Sequence, residues 1–229
     1  MIKSPCISVI IPALNEAQLI PQTLRTLDMA PELICEIIVV DGGSTDATKL
    51  MAKDANATVI ESAKGRGLQL RTGAVAAKGD WLLFLHADTR LGETWPQQVR
   101  AFIENAENAR QAAYFTFELA DPRRSARWYE AMVAWRCATF NLPYGNQGLL
   151  LSTGFYNSLG GFKPKNRRED VDMVGRIGRK RMVMLKAKAV TTRPRYLKEG
   201  YVLRPLQNLA SLALYFLSRP VTAFKRMFR

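Results

Sequence analysis

The chain has one histidine and three cysteines in 229 residues, and both scarcities narrow its chemistry. Cys6, Cys35 and Cys137 are odd in number and far apart, which excludes a disulfide framework and a Cys/His metal cluster. Each stands among apolar residues, so the expectation is buried thiols in a reducing compartment. No apolar stretch reaches the ~18 to 20 residues of a membrane-spanning helix. The opening "MIKSPCISVIIPALNE" lacks the shape of a signal peptide, so the expected location is the cytoplasm. Neither a GxGxxG fingerprint nor a GxxxxGK[ST] phosphate loop occurs, and there are no internal repeats or low-complexity segments.

What is present is an ordinary globular composition, 48% hydrophobic and 23% charged, with an uneven charge. Residues 1–120 carry 11 Lys+Arg against 14 Asp+Glu, and residues 121–229 carry 22 against 6. The net charge of +13 therefore belongs to the second half, which suits an anionic partner.

Short β-branched runs alternate with amphipathic stretches in the first half. Strands are expected at 7–12, 36–41, 57–62 and 81–88, and helices at 17–27, 45–54 and 68–77. The Ser/Thr/Asp cluster before the second helix offers N-cap oxygens. Apolar runs without polar alternation predict strands covered on both faces, hence an α/β fold with an open, doubly wound, mostly parallel sheet. Ligands of such sheets sit beyond the carboxyl ends of the strands. Pro12–Glu16, Asp41–Ser44 and His86–Asp88 all fall on those ends. Further on, helices are expected at 94–107, 125–140 and 167–180, and strands at 112–119 and 145–152.

Several side chains at these ends suit a phosphorylated ligand. Asp88 is placed for a divalent cation, Mg²⁺ or Mn²⁺, whose other ligands would be water and phosphate. His86 suits the cation or a ribose hydroxyl. The alternatives are a turn-capping aspartate and a buried core histidine. Asp41, followed by two glycines, suits a hydrogen bond from a base or ribose, or a plain strand-to-helix turn. Arg66, ahead of a helix, suits an anion at the helix start.

Taken in order, "VIIPALNE", "VVDGGSTDAT", "GRGLQL", "LFLHADT" and "EDVDM" resemble the inverting family 2 glycosyltransferases of GT-A fold, over residues 7–200. "HADT" with "YGNQG" resembles a small bacterial subgroup described as radical-SAM/selenodomain-associated. The resemblance implies a GT-A-like domain over 1–204, with a nucleotide-binding half (1–93) and an acceptor half (94–204). It implies a nucleotide-diphosphate sugar donor and a divalent metal. Pro12, Ala13, Asn15, Glu16 and Asp41 would surround base and ribose, with Arg66 and Gln69 also on the donor. His86-Ala87-Asp88 occupies the family's Asp-x-Asp position, so His86 stands where the first acid is usual. Gly42 likewise stands where a second base-contacting acid is usual.

The Glu-Asp pair of the resemblance makes Asp170 the general base, taking the acceptor hydroxyl's proton. Helical spacing puts Asp170 on a stripe with Met173, Val174 and Ile177, facing protein, with Glu169 and Asp172 on other faces. Asn146 and Gln147 suit an acceptor contact or a turn, Glu169 is a further candidate there, and Arg195 resembles an arginine closing over the donor phosphates. Residues 205–229 read as an amphipathic basic helix for an anionic membrane surface, its own core or a second subunit. The reading is a metal-dependent transferase using an unidentified hydroxyl acceptor, free or lipid-linked. Its competitors are a sugar-nucleotide nucleotidyltransferase and a non-enzymatic module for anionic lipid or nucleic acid. No specific nucleic-acid motif is present.

Overall fold

The computed structural model describes residues 5–164 and 169–192. In chain order the regular elements are β1 (Ile7–Ala13), α1 (Ile20–Leu27), β2 (Ile34–Asp41), α2 (Thr48–Asp54), β3 (Thr58–Glu61), α3 (Arg66–Ala76) and β4 (Trp81–Phe84). There follow β5 (Thr89–Leu91), α4 (Trp95–Glu104), β6 (Ala112–Leu119), α5 (Arg124–Phe140), β7 (Leu149–Ser152), α6 (Thr153–Ser158), α7 (Glu169–Ile177) and β8 (Met182–Thr191). Arg195 and the 205–229 segment lie outside the described residues.

All eight strands join one sheet, ordered β3-β2-β1-β4-β7-β6-β8-β5. β3, β2, β1 and β4 run parallel. β7 lies antiparallel to both β4 and β6. β8 is parallel to β6, and β5 is antiparallel to β8. The sheet is open and mostly parallel, in keeping with the α/β expectation.

Around β1 and β4 both faces are covered, which is why these strands lack polar alternation, whereas β8 alternates exposed Lys186 and Lys188 with buried Leu185, Ala187 and Ala189. Ile7, Val9, Ile11 and Ala13 of β1 pack on one side with Leu24 of α1, Ala52 of α2 and Val99 of α4. Ile10 faces the other side with Leu70 of α3, Val133 of α5, Phe155 of α6 and Val174 of α7. The polar exception in β1 is Ser8, fully buried, whose hydroxyl donates to Glu36 at 2.6 Å and accepts from the Gly79 amide at 2.8 Å.

Several boundaries differ from the sequence expectation. α1 starts at Ile20 with Pro21 in its first turn, where a missing N–H costs nothing. The residue before α2, Ala47, offers no side-chain cap, but Asp46 Oδ1 accepts from the Thr48 amide at 3.0 Å. The same cluster also ties the β2–α2 loop to the β1–α1 loop. Asp46 accepts from the Ala17 amide, Ser44 from Asn15 and Thr48 from Glu16. The fourth strand stops at Phe84, leaving His86–Asp88 in a loop, and the expected strand at 145–152 begins only at Leu149. The cysteine expectation holds for Cys137 alone. Cys6 is half-buried and Cys35 exposed, because both lie at the strands' amino ends, away from the covered centre.

Candidate active site

β1 and β2 are in register at their carboxyl ends, Ala13 opposite Asp41, so their following loops meet over one edge of the sheet. Asp41 is fully buried there. Its Oδ2 accepts from the amides of Gly43 (3.0 Å) and Ser44 (2.9 Å), while Oδ1 is buried without a hydrogen-bond partner. A buried carboxylate oxygen without a donor is costly. That oxygen can accept an N–H or O–H.

Asn15 adopts left-handed backbone (φ 55°), and its side-chain oxygen accepts from the Thr45 amide at 2.9 Å. Asn15 and Glu16 thus serve first to hold the two loops together. Gln69 is buried, and its amide nitrogen donates to Ala13 O (2.9 Å) and Val40 O (2.8 Å). Those bonds anchor the ends of β1 and β2. A Cβ at Gly42 would come within 3.0 to 3.2 Å of the Gln69 amide group, so Gln69 fills the space beside that position.

The loop after β4 is fixed through its backbone. Thr23 Oγ1 donates to Ala87 O at 2.8 Å, and Thr191 Oγ1 to Asp88 O at 3.4 Å. With the carbonyls engaged, the side chains turn inward. His86 and Asp88 are 8% and 4% exposed, with Nδ1 and Oδ1 3.9 Å apart. One imidazole and one carboxylate at that separation fit a divalent cation whose remaining ligands are water and phosphate oxygens. Among the described residues no cluster of three or more His, Cys, Asp or Glu exists that could hold a metal by itself.

The first turn of α7 corrects the expectation for its acids. Glu169 and Asp172 are buried at 5% and 6% exposure, and Asp170 is half-buried. The helix is covered on both flanks, so its buried arc is wider than the apolar stripe. Arg66 of α3 reaches Glu169 at 3.4 Å on one flank. On the other, Arg176 binds Asp172 at 2.9 Å and donates to the carbonyls of Leu159 and Gly161. Burial pushes the Glu169 carboxyl above the usual glutamate value. The Asp170 charge adds to that rise, and Arg66 opposes it only in part.

A pocket of about 430 Å³, partly open to solvent, brings His86 together with Arg66, Glu169 and Asp170; Asp41 and Asp88 are not among its described lining. Arg66, His86, Glu169 and Asp170 form its polar side, over Leu70, Phe84, Phe162 and Val174. Asn146 and Gln147 are not part of the described lining; Tyr144, Gly145 and Gly148 of the same motif are. Gln147 is only 1% exposed, with its amide spent inside the fold, which removes the geometric basis for a direct acceptor contact. Gly145 and Phe162 went unnoticed in the sequence. The motif "YGNQG" was visible, but attention falls on its polar side chains, whereas the pocket uses its backbone.

The family profile described as "Glycosyl transferase family 2" matches residues 8–187. The chain is 35% identical over 112 residues to a PGL/p-HBAD biosynthesis glycosyltransferase of Mycobacterium bovis, covering 45% of this chain and 44% of that relative. It is 29% identical over 114 residues to an undecaprenyl-phosphate 4-deoxy-4-formamido-L-arabinose transferase of Pseudomonas fluorescens, covering 44% and 32%. The matches thus span less than half the length of these curated relatives. Among solved structures, glucosyl-3-phosphoglycerate synthase from Mycobacterium tuberculosis, in complex with Mn²⁺, UDP-glucose and phosphoglyceric acid, superposes with a TM-score of 0.63. That likeness covers 85% of this chain and 74% of the synthase at 23% identity, and it establishes the fold.

Proposed function

The chain belongs to glycosyl transferase family 2, and on that premise we propose that it is a metal-dependent, inverting glycosyltransferase. It would move a sugar from a nucleotide-diphosphate sugar to an acceptor hydroxyl. The observation that carries the reading is the shared pocket of His86 and Asp170, on the strand edge where Asp41 offers its unpartnered oxygen. Asp41 Oδ1 would accept a hydrogen bond from the base. Asp88 and His86 would hold Mg²⁺ or Mn²⁺, as the M. tuberculosis synthase holds Mn²⁺ with its UDP-glucose. The cation supplies charge compensation for the departing diphosphate.

Asp170 then takes the proton of the acceptor hydroxyl as that oxygen attacks the anomeric carbon from the opposite face. Its neighbour Glu169, buried beside Arg66, keeps the guanidinium at the pocket wall. The apolar residues beneath exclude water, which strengthens each polar contact above them.

An anionic membrane surface is part of the proposal. It is supported by Trp128 and Trp135, 56% and 59% exposed on α5, close to Arg123, Arg124 and Arg127. A lipid-linked acceptor agrees with the undecaprenyl-phosphate transferase among the relatives. Among the described residues, no helix is long and apolar enough to cross a membrane.

A thermal-shift screen of nucleoside diphosphates with and without Mn²⁺ tests the donor site. A ligand at 100 times its Kd adds about 2.7 kcal/mol of stability, a shift of several degrees for a chain of this size. Asp88→Ala is expected to abolish the Mn²⁺-dependent shift, and an unchanged shift would end the metal assignment. Asp170→Asn is expected to keep the shift and lose transfer; full activity in that variant would remove Asp170 as the base.

A further inference from the structure

The "YGNQG" motif is left without a role by the donor and base assignments. We propose that the turn Tyr144–Gly148 is a positioning device for the Asp170 carboxylate, with Gly145 as its contact and Gln147 as its anchor. The inference rests on Asp170 being the base.

The turn is anchored from several elements at once. The Gln147 amide donates to Phe115 O of β6 at 3.1 Å. Its oxygen accepts from the Tyr144 amide (3.3 Å), Arg136 Nη2 (3.4 Å) and Cys137 Sγ (3.5 Å), the last two from α5. The Arg136 guanidinium lies 3.8 Å from the centre of the Tyr144 ring, and its Nε donates to Leu142 O at 3.0 Å. Ahead of the turn, left-handed Asn141 ends α5 and donates to Arg179 O (2.7 Å) and Met182 O (3.0 Å). A buried amide making four hydrogen bonds in a short turn fixes the backbone rather than a ligand.

What this backbone delivers is one amide. Gly145 N donates to Asp170 Oδ2 at 3.0 Å, while Oδ1 accepts from the Val171 amide at 2.8 Å. Both bonds fix the carboxylate's orientation, and each oxygen keeps a lone pair for an incoming hydroxyl. Gly145 also needs to be a glycine for space. A Cβ there would stand 2.8 Å from His86 Nε2, 3.4 Å from Cε1 and 3.6 Å from Asp170 Oδ2. Its φ is not in the left-handed region, so the backbone itself admits alanine. The missing methyl is what lets the imidazole and the carboxylate approach the same point.

The test compares Gly145→Ala, Gln147→Leu, Asp170→Asn and the double variant Gly145→Ala/Asp170→Asn. The assay follows release of nucleoside diphosphate to water from UDP-, GDP- and dTDP-glucose with Mn²⁺, using whichever the unsubstituted protein turns over. Gly145→Ala is expected to lower kcat about 10- to 100-fold, the scale of a misplaced catalytic group, and to raise the donor KM as well, because its Cβ also presses on His86 Nε2; Gln147→Leu, which adds nothing beside His86, is expected to leave the donor KM unchanged. The kcat loss, read at saturating donor and Mn²⁺, is expected not to deepen once Asp170→Asn is present, since on kcat the turn acts through that carboxylate. Gln147→Leu, which leaves Gly145 in place, is expected to lower kcat in the same way. In ¹⁵N spectra, Asp170→Asn and Gln147→Leu are each expected to shift the Gly145 amide resonance.

Additive losses in the double variant, or unchanged kcat in both turn variants, would overturn the proposal while leaving Asp170 as base. An active Asp170→Asn would remove the base, and the positioning role with it. If no sugar in the panel turns over, the resonance decides: a Gly145 amide unmoved by Asp170→Asn rejects the contact, and a shifted one supports it.

Discussion

Glu169 and Asp170 are adjacent carboxylates set to different tasks by what surrounds them. Glu169 is sealed against Arg66, and Asp170 is half-buried at the pocket, held by two backbone amides. Burial, with Asp170 adding to it, raises the folded-state pKa of Glu169 above its unfolded value. As pH falls, the folded chain therefore binds that proton first. The group favours folding relatively more at low pH and works against it once it ionises. In Glu169→Gln this dependence is removed, so the Tm difference, variant minus unsubstituted, is expected to be more positive near pH 8 than near pH 4.5. Calorimetry at the two pH values checks the sign. A more negative difference at the higher pH would mean that Arg66 outweighs burial. The sequence identified both acids but assigned their burial the wrong way round. A helical wheel sees the apolar stripe and cannot see that Arg66 arrives from α3, or that Arg176 of α7 itself ties Asp172 to the carbonyls of Leu159 and Gly161.

At the scale of elements, close contact between α3 and the sheet positions the donor edge. Gly73 sits over β1 and β2, where a Cβ would stand 2.5 Å from Ile10 Cγ2 and 2.9 Å from Val40 Cγ2, both fully buried. Alanine gains about 1 kcal/mol in helix propensity over glycine. Overpacking a rigid core costs about 1–3 kcal/mol, and there is no exposed side-chain end here to yield. Gly73→Ala is therefore expected to lower Tm, and to weaken nucleoside diphosphate binding because Arg66 and Gln69 ride on the same helix. A thermal-shift titration reads both effects; a higher Tm with unchanged binding would mean that α3 can move off the sheet freely. The strands and long helices were legible because apolar runs and 3.6-residue periodicity record burial directly. Two strands were not: the three-residue β5, which has no period and exists through its pairing with β8, and the ten-residue β8 itself, where the sequence reading expected no element. The segment 145–148 read as strand because its apolar continuation did, although its own bonds run sideways to Phe115 and Asp170.

The charge of the whole molecule is divided along the chain, with an acidic first half bearing the donor loops and a strongly basic second half. Diffuse positive charge alone gives weak, salt-sensitive attraction to an anionic surface. α5 adds a second ingredient. Trp128, Ala131, Trp135 and Ala138 form one exposed stripe at i, i+3, i+7 and i+10, beginning beside Arg123, Arg124 and Arg127. Tryptophan favours the headgroup region and arginine favours anionic lipid, so the two suit an interfacial helix face. The protein is expected to float with vesicles containing phosphatidylglycerol and not with pure phosphatidylcholine. The bound fraction should fall as salt rises from about 50 to about 500 mM, because surface charges are screened over that range. Trp128→Ser with Trp135→Ser should weaken flotation at low salt without altering Mn²⁺-dependent nucleotide binding, since both tryptophans are exposed and neither is among the described pocket lining. Equal binding to neutral vesicles, or flotation indifferent to both tryptophans, would reject α5 as the contact. Loss of the interaction with salt but not with the tryptophan changes would assign it to the basic half at large.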